Sequence, residues 1–563
     1  MAAWTAARAT ASTSSRPAQG VVGALRLGGR QIVFRQAADQ RLQATADEAP
    51  VAGRAYALGE RTEPGIYDIQ GHFANLTDAR EGIEITLPLP DGLSEVAVVT
   101  RAGLDEHGFV QVQGVSRMDG HGAPLVLTVG TDGVFGTLIS QGREFQIVTR
   151  QGKTQLVDPQ GAGWAHLRGD DQVELGDAAG ADLRAQALLA TGAALARAGT
   201  TTTTTGTTQP VPLPAGKVDT VITLLMSYST TFVNLWGTET LARTRLSNIV
   251  ETANAAYSNS GTGVQFRIVG WAQVKQADAT PQVNLPALRA GSGAFSTLPA
   301  LKKSTGAAIS VFFAPFNTVT GASSTCGLAY IPGAGAAGLA SFKSQAPGAM
   351  YAALNDGHSN GYYCETLSLG HELGHNLGNV HDKANSSFMG VFNYSYGKGV
   401  AGSFGTIMSY ISPRVALFSS PQLKCGTTQV PCGTSTENVV ATMLQTKSIV
   451  AALGNASAAS VSATGASMVS GWLVNANGTP YTGAATVKAS EAGVTCSTGT
   501  TGLYVCKVPT GVASVSVAVT AAGKVAAPAV GSFPVQRDAN TPVNGTRFYL
   551  SDPPKAAAAT SKK

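Results

Sequence analysis

The stretch HELGHNLGNVHD, from His371 to Asp382, gathers three histidines around one glutamate in a chain of 563 residues that contains only eight histidines. If the segment forms a helix, His371 and His375 lie one turn apart on the same face, where two imidazoles can share a tetrahedral ion. Glu372 lies beside them and can accept a proton from a metal-bound water. The spacing therefore predicts a catalytic zinc centre.

Gly378 and His381 complete this pattern. The glycine lets the chain leave the helix sharply, so that His381 can return as the third ligand. Three neutral nitrogens leave a fourth position for water, which is the arrangement of a catalytic site rather than a structural one. A third ligand from a later glutamate, as in thermolysin-like enzymes, has no candidate because no glutamate occurs between Glu372 and Glu437.

Farther along, SFGTIMSY contains Met408 and Tyr410. HExxHxxGxxH followed by a methionine turn is the metzincin signature, so the sequence resembles these zinc peptidases. Asp382 and the upstream segment CGLAYIPG make it most similar to the reprolysin-like (adamalysin) family. The resemblance implies an α/β catalytic domain with a twisted mixed sheet and a zinc helix, and a structural Met408 below the ligands.

Tyr410 departs from that family. Its position is similar to that of a tyrosine in astacins and serralysins that coordinates zinc or stabilises the transition state. We therefore predict a catalytic role for Tyr410, and whether it ligates zinc stays open, as does the alternative that it only packs.

The elements that must position these residues follow the pattern of an α/β domain over residues 218–455. TVITLLMSYS predicts a buried strand, and ETLARTRLSNIVETANAAYSNSG predicts a helix. Four more strands follow, and TENVVATMLQTKSIVAALG predicts a last helix capped by Ser435 or Thr436. The strand near GLAYIPG is expected to lie at the sheet edge and to hold substrate by β-addition.

Residues 1–199 form a β-rich region, with an Ala/Leu-rich helix expected over 181–198, and GVFGTLISQGREFQIV is similar to reprolysin-type propeptides. Residues 200–217 are a Thr/Pro linker that proteases can reach. We predict an inhibitory propeptide that is removed by cleavage in this linker. No cysteine precedes Cys326, so a thiolate cannot block the metal. Candidate blocking groups are His166, Asp170 and Asp171, and the alternative is that these are turn residues.

Residues 459–555 predict a small all-β sandwich that resembles prealbumin-type repeats. The chain has six cysteines, and we expect them to pair as Cys326–Cys364, Cys425–Cys432 and Cys496–Cys506. The last two pairs are close in sequence, and CSTGTTGLYVC reads as a hairpin. Paired cysteines indicate an exported protein, and scattered buried thiols are the alternative. The first twenty residues lack a secretory signal, so either the natural start differs or export uses another route.

Composition argues against two function classes. The net charge of +5 is spread thinly, and without a Lys/Arg cluster a nucleic-acid partner has little support. No apolar run is long enough to span a bilayer.

The sequence thus predicts a secreted, monomeric zinc endopeptidase that acts on protein or peptide substrates, with Glu372 as general base. Two alternatives remain: a non-catalytic adhesin built on the same scaffold, and an amidase or peptidoglycan hydrolase with the same zinc chemistry. Calcium sites are not readable from the sequence.

Overall fold

The computed structural model describes residues 55–70, 79, 81–116, 124–140, 142–166, 172–174, 209–275, 279–316, 325–454, 467–477, 479–509, 511–535 and 546–553, together with three earlier strands. The chain divides into two compact units, residues 1–53 and 54–563. The predicted helix over 181–198, residues 200–208 of the predicted linker, Asp170 and Asp171 lie outside the described residues.

The first unit contains an antiparallel three-stranded sheet in the order β1-β2-β3. Its strands are β1 Val21–Leu27, β2 Arg30–Gln36 and β3 Leu42–Asp47.

The N-terminal β domain, residues 55–174, is built on a nine-stranded antiparallel sheet in the order β4-β5-β12-β11-β10-β9-β8-β7-β6. Its strands are β4 Ala57–Glu63, β5 Ile66–Gln70, β6 Glu84–Pro88, β7 Ser94–Leu104, β8 Val110–Ser116, β9 Pro124–Val129, β10 Val134–Ser140, β11 Arg143–Arg150 and β12 Lys153–Val157. Two short strands, β13 Ala165–His166 and β14 Gln172–Glu174, follow and pair with strands of the next domain.

The catalytic domain, residues 209–454, has a mixed sheet in the order β14-β18-β19-β17-β15-β16. Its main strands are β15 Thr220–Ser229, β16 Val264–Val274, β17 Ile309–Pro315, β18 Gly327–Ile331 and β19 Tyr351–Asp356. Its helices are α1 Thr230–Trp236, α2 Glu239–Asn259, α3 Pro281–Ala290, α4 Leu298–Thr305, α5 Gly338–Ala349, α6 Ser368–Asn376 and α7 Val439–Ala451. Short strands complete it: β20 His358–Ser359, β21 Tyr362–Tyr363, β22 Val380–Asp382, β23 Tyr396–Gly397, β24 Gly399–Val400, β25 Phe404–Gly405, β26 Lys424–Cys425 and β27 Val430–Pro431.

The cap of α7 differs from the sequence expectation. The helix begins at Val439, and its N-cap is Asn438, whose side chain accepts a hydrogen bond from the backbone N–H of Ala441. Thr434 and Glu437 instead form an isolated bridge before the helix. The expected caps, Ser435 and Thr436, lie inside that turn, so the structure corrects this prediction.

The predicted edge strand is also not the edge of the sheet. β18 pairs antiparallel with β19 on one side, and β14 pairs with it in parallel on the other, with Val173 opposite Tyr330. The sequence could not show this, because the three residues of β14 carry no pattern of their own. The strand expected to receive substrate is therefore covered by a segment of the N-terminal β domain.

The two domains also share a core. Phe135 and Ile139 of β10 belong to the same apolar cluster as the α2 side chains Leu246 and Ile249. Asn248 of α2 donates to the carbonyls of Val126 at 3.3 Å and Phe135 at 3.4 Å. Buried hydrogen bonds of this kind fix one docking arrangement, because a buried polar group without a partner costs about 1–3 kcal/mol.

The end of the predicted linker lies against the catalytic domain. Leu213 donates its backbone N–H to the carbonyl of Gly261, and Asn438 donates its side-chain amide to Gln209. Residues 209–216 of the predicted linker are therefore held against the catalytic domain by contacts.

The C-terminal β domain, residues 467–553, has a five-stranded sheet in the order β30-β31-β28-β35-β33 and a three-stranded sheet in the order β29-β32-β34. Its strands are β28 Ser467–Asn475, β29 Ala485–Ala489, β30 Thr495–Thr498, β31 Leu503–Val508, β32 Ser514–Ala521, β33 Val525–Ala527, β34 Val530–Pro534 and β35 Thr546–Ser551. Among the described residues of the chain, no helix has the length and apolar character needed to cross a bilayer.

Candidate metal centre

The three histidines of the motif converge in the structure. His371 and His375 lie on α6, and His381 lies on β22 after the turn at Gly378. All three are buried, and one nitrogen of each lies within 4.8 Å of the others. Among the described residues these are the group of His, Cys, Asp and Glu side chains that could hold a metal ion.

Backbone carbonyls orient two of the imidazoles. The Nδ1 of His371 lies 2.7 Å from the carbonyl oxygen of Ile407, and the Nδ1 of His375 lies 2.9 Å from that of Asn379. Since a carbonyl can only accept, Nδ1 carries the proton and Nε2 keeps its lone pair for a metal. The Nε2 atoms of His371 and His381 lie 3.1 Å apart, close enough for both to reach one metal ion. The donor set therefore fits zinc.

Gly378 makes the turn between the helix and the third ligand. Its φ of +88° lies in the region that favours glycine. A Cβ at this position would overlap Val391 and lie 3.1 Å from the ring of Phe342, and both of those side chains are fully buried. The glycine is thus required for its backbone conformation and for the space around it.

Met408 packs against α6, the helix that carries His371 and His375. A Cβ added to Gly374, which lies between the two helical histidines, would be 2.5 Å from the sulfur of Met408. The methionine therefore lies directly against the helix and is fully buried. It contributes an apolar floor.

Glu372 faces the start of β18. A Cβ added to Gly327 would lie 2.6 Å from the Cγ and Cδ atoms of Glu372, closer than real Cβ contacts. Sequence reasoning missed this residue, since nothing in the motif indicates that a glycine in a distant strand makes room for the carboxylate. Gly327 is therefore a positioning residue for the expected general base.

We predict that Gly327→Ala lowers kcat by about tenfold or more, because a displacement of about 1 Å in a catalytic group can cost this much. β18 is held by its pairing with β19 and by the adjacent Cys326–Cys364 disulfide, so its backbone resists the shift that the new methyl group would need. The zinc content should stay at the level of the parent, because the three imidazoles are untouched. Gly348→Ala is the matched control, because its added Cβ would meet nothing closer than 3.8 Å. Equal kcat values for the two variants would contradict the positioning role.

Tyr410 lies at the site, with its ring centroid 4.2 Å from that of His381. Asp382 holds the backbone of this turn, because its carboxylate accepts from the hydroxyl of Ser409 at 2.9 Å and from the backbone N–H of Tyr410 at 3.1 Å. Burial alone would raise the pKa of Asp382, but hydrogen bonds from Asn385, Ser409 and the backbone lower it. The carboxylate therefore stays ionised and links the third ligand to the turn that carries Tyr410.

Arg414 is a second residue that the sequence did not indicate. Its Nη2 donates to the carbonyl of Ile407 at 2.8 Å, the same oxygen that orients His371. Its Nε lies 3.3 Å from Glu365, just before α6. Arg414 thus supports a metal ligand through a shared carbonyl, a role with no local sequence signal.

Of the predicted blocking groups, only His166 is described. It lies on β13, with its Nε2 3.7 Å from Glu365 and its ring against Tyr363. Nearby, a cavity of about 340 Å³ is lined by residues of both the N-terminal β domain and the segment around the start of α6, among them Trp164, Leu367 and Pro413. His166 therefore packs on the approach to the zinc helix.

A buried carboxylate crosses this domain boundary. Glu144 of β11 accepts from the backbone N–H of Thr366 at 3.0 Å and from its hydroxyl at 2.6 Å. Burial and then the charge of Glu365 raise the pKa of Glu144. The N-terminal β domain thus makes polar contact directly before the zinc helix.

The structure pairs all six cysteines, as Cys326–Cys364, Cys425–Cys432 and Cys496–Cys506. The first pair ties the residue before β18 to the segment that leads into α6. It therefore fixes β18 relative to the candidate metal ligands.

Residues 218–438 match the family model described as Metallo-peptidase family M12B Reprolysin-like. A comparison with curated proteins finds no significant match. Among solved structures, one titled "Structure of a chaperone-substrate complex" is 21% identical over 42% of this chain, with a TM-score of 0.33, and the match spans 35% of its length. The crystal structure of metalloproteinase-II from Bacteroides fragilis is 12% identical over 62% of this chain and 91% of its own, also with a TM-score of 0.33.

Proposed function

We propose that this chain is a zinc metalloendopeptidase that cleaves protein substrates outside the cell and is made in a latent form. The match of residues 218–438 to the reprolysin-like family M12B supports the peptidase activity. The observation that carries the proposal is the convergence of His371, His375 and His381 beside Glu372. Three paired disulfides support an oxidising compartment.

The geometry of the site supports a catalytic role for each of these residues. Zinc, when bound by the three histidines, supplies a Lewis acid that acidifies water and polarises a carbonyl. Glu372 takes the proton of the attacking water and delivers it to the leaving amine. Tyr410, whose ring lies beside that of His381, donates its hydroxyl to the oxyanion that develops on the substrate. β18 aligns the substrate backbone by strand pairing once its edge is open.

The test of this function is a digest of unfolded casein, read by mass spectrometry. Activated enzyme should produce fragments, a chelator should abolish them, and zinc should restore them. Glu372→Ala serves as the inactive control. A digest that proceeds equally in the presence of chelator would contradict the proposal.

We expect Tyr410→Phe to lower kcat about tenfold or more and to leave KM near the parent value, since one oxyanion donor is lost only in the transition state. Steady-state kinetics on a peptide substrate separate the two constants. Unchanged kcat would return Tyr410 to a packing role.

The pairing of β14 with β18 supports the proposal that the uncut chain is latent. β14 occupies the free side of the strand that a substrate must use, and Val173 packs against the catalytic core. A competitor in the same chain acts at an effective concentration of about millimolar, which a dilute substrate does not match. Inhibition in this form is steric and needs no ligand to the zinc.

We predict that Val173→Asp raises the peptidase activity of the uncut chain about tenfold, because a charge at this partly buried position, which packs against the catalytic core, weakens β14 by at least the 1.4 kcal/mol that corresponds to this factor. Val211→Asp is the matched control, since Val211 is 63% exposed. Activity of the Val173→Asp chain at or below the parent value would remove β14 as the inhibitory element.

A further inference from the structure

The C-terminal β domain has two apolar faces on one sheet. Successive side chains of a strand point to opposite faces, so β28 and β31 each divide their residues into two sets. One set fills the domain's own core and consists of Val469, Leu473, Tyr504, Cys506 and Val508. The other set is buried outside that core and consists of Met468, Trp472, Val474, Leu503 and Val505. We call this second set the outer face.

The N-terminal β domain covers the outer face. The five side chains share one apolar cluster with residues of β7 to β12, including Leu104, Val129, Leu138 and Phe145. Trp472 is 1% exposed and Leu503 is fully buried. If the outer face were exposed, it would be an unusually large apolar patch for a protein surface. The cover by the N-terminal β domain therefore accounts for the apolar side chains of this face.

Two turns interlock beside this face. Thr501 donates its backbone N–H to the carbonyl of Thr131 at 3.0 Å and its hydroxyl to that of Gly130 at 2.8 Å. Thr500 donates its hydroxyl to the carbonyl of Asp132 at 3.0 Å. Gly499 permits this approach, because a Cβ there would lie 2.6 Å from the carbonyl oxygen of Thr131 and overlap Asp132.

We propose that the outer face is a docking surface for the N-terminal β domain of the same chain, and that it retains that domain on the catalytic domain after the linker is cut. The N-terminal β domain contacts α2 with one face of its sheet and the C-terminal β domain with the other. The C-terminal β domain is joined to α7 by the chain itself, so it acts as a second tether.

The consequence for regulation rests on the proposed function. Cleavage between residues 200 and 208 breaks one covalent connection and leaves both interfaces intact. The N-terminal β domain then stays bound over β18. Full activity requires the N-terminal β domain to dissociate from the outer face. The outer face therefore binds the same domain that inhibits the peptidase, namely the N-terminal β domain.

The experiment uses the full chain with Glu372→Ala, which prevents self-digestion, and with a recognition sequence for a site-specific protease in place of residues 200–205. After cleavage, size-exclusion chromatography measures the fraction of the N-terminal fragment that co-elutes with the remainder. The parent should retain the fragment. Gly499→Leu should weaken retention at least tenfold, and Thr501→Val should weaken it less. The matched control Ala522→Leu, at an exposed turn, should retain the fragment fully.

Release of the fragment from the parent on cutting, or undiminished retention by Gly499→Leu, would overturn the proposal. Mapping of the Cys496–Cys506 disulfide verifies that each variant keeps a folded C-terminal β domain. Rapid exchange of the N-terminal fragment onto cut chains that carry a different tag would show that the outer face binds the fragment of a second copy. That result would also overturn the proposal. Because the chain is inert, retention is measured without peptidase activity, so a failed casein digest would refute the proposed function and leave this docking intact.

Discussion

Replacing Glu372 with alanine should lower peptide turnover by at least about 100-fold and leave the zinc content unchanged. A general base contributes about 10²–10⁴ in rate, and the lower bound corresponds to about 2.7 kcal/mol of barrier. The metal should stay because the carbonyls of Ile407 and Asn379, and not Glu372, orient the two helical ligands.

Two measurements check this prediction on the same samples, namely kcat/KM on a peptide and zinc per chain by elemental analysis. Glu372→Gln keeps the shape of the side chain without its basicity, so it should be nearly as slow as the alanine variant. Glu239→Ala is the control, since Glu239 is half exposed and pairs with Arg243 on α2. A Glu372→Ala enzyme that turns over at the parental rate would refute the mechanism.

Gly378→Ala should lose both zinc and activity. The new methyl group would overlap Val391, and alanine resists a φ of +88° at a cost of about 1–2 kcal/mol. The overlap and the backbone strain can be relieved only if the chain after Gly378 moves. That chain carries His381 as well as the carbonyl of Asn379 that orients His375, so two of the three ligands are displaced.

We expect zinc affinity to fall at least about 100-fold, beyond the range seen when only an outer contact of a metal ligand is lost. Competition with a chromophoric chelator measures this directly. Gly402→Ala is the matched control, because Gly402 has a φ of +71° with open space around it and therefore tests backbone strain alone. Val391→Ala added to Gly378→Ala should recover part of the affinity. Equal zinc affinity for Gly378→Ala and Gly402→Ala would show that the packed environment of the turn is unimportant.

The metal ligands could be predicted from the sequence because they lie in one short stretch. Helix geometry alone places His371 and His375 on one face, and the glycine between His375 and His381 allows the return of the chain. Local spacing therefore determined the candidate ligand set, whose three histidines the structure brings together.

Contacts between distant segments were decided only by the tertiary structure. Gly327 and Arg414 act on Glu372 and His371 through packing and a shared carbonyl, and neither effect has a local pattern. The cover of β18 by β14 was missed for the same reason, since strand pairing depends on which edge a folded domain presents.

The arrangement of the domains shows the same limit. The sequence indicated strands in the N-terminal and C-terminal regions, because alternation and turns are local signals. It did not indicate that Trp472 and Leu503 face the N-terminal β domain rather than solvent. A strand that is apolar on both faces specifies that each face is covered, but only complementary side-chain packing in three dimensions decides which surface covers it.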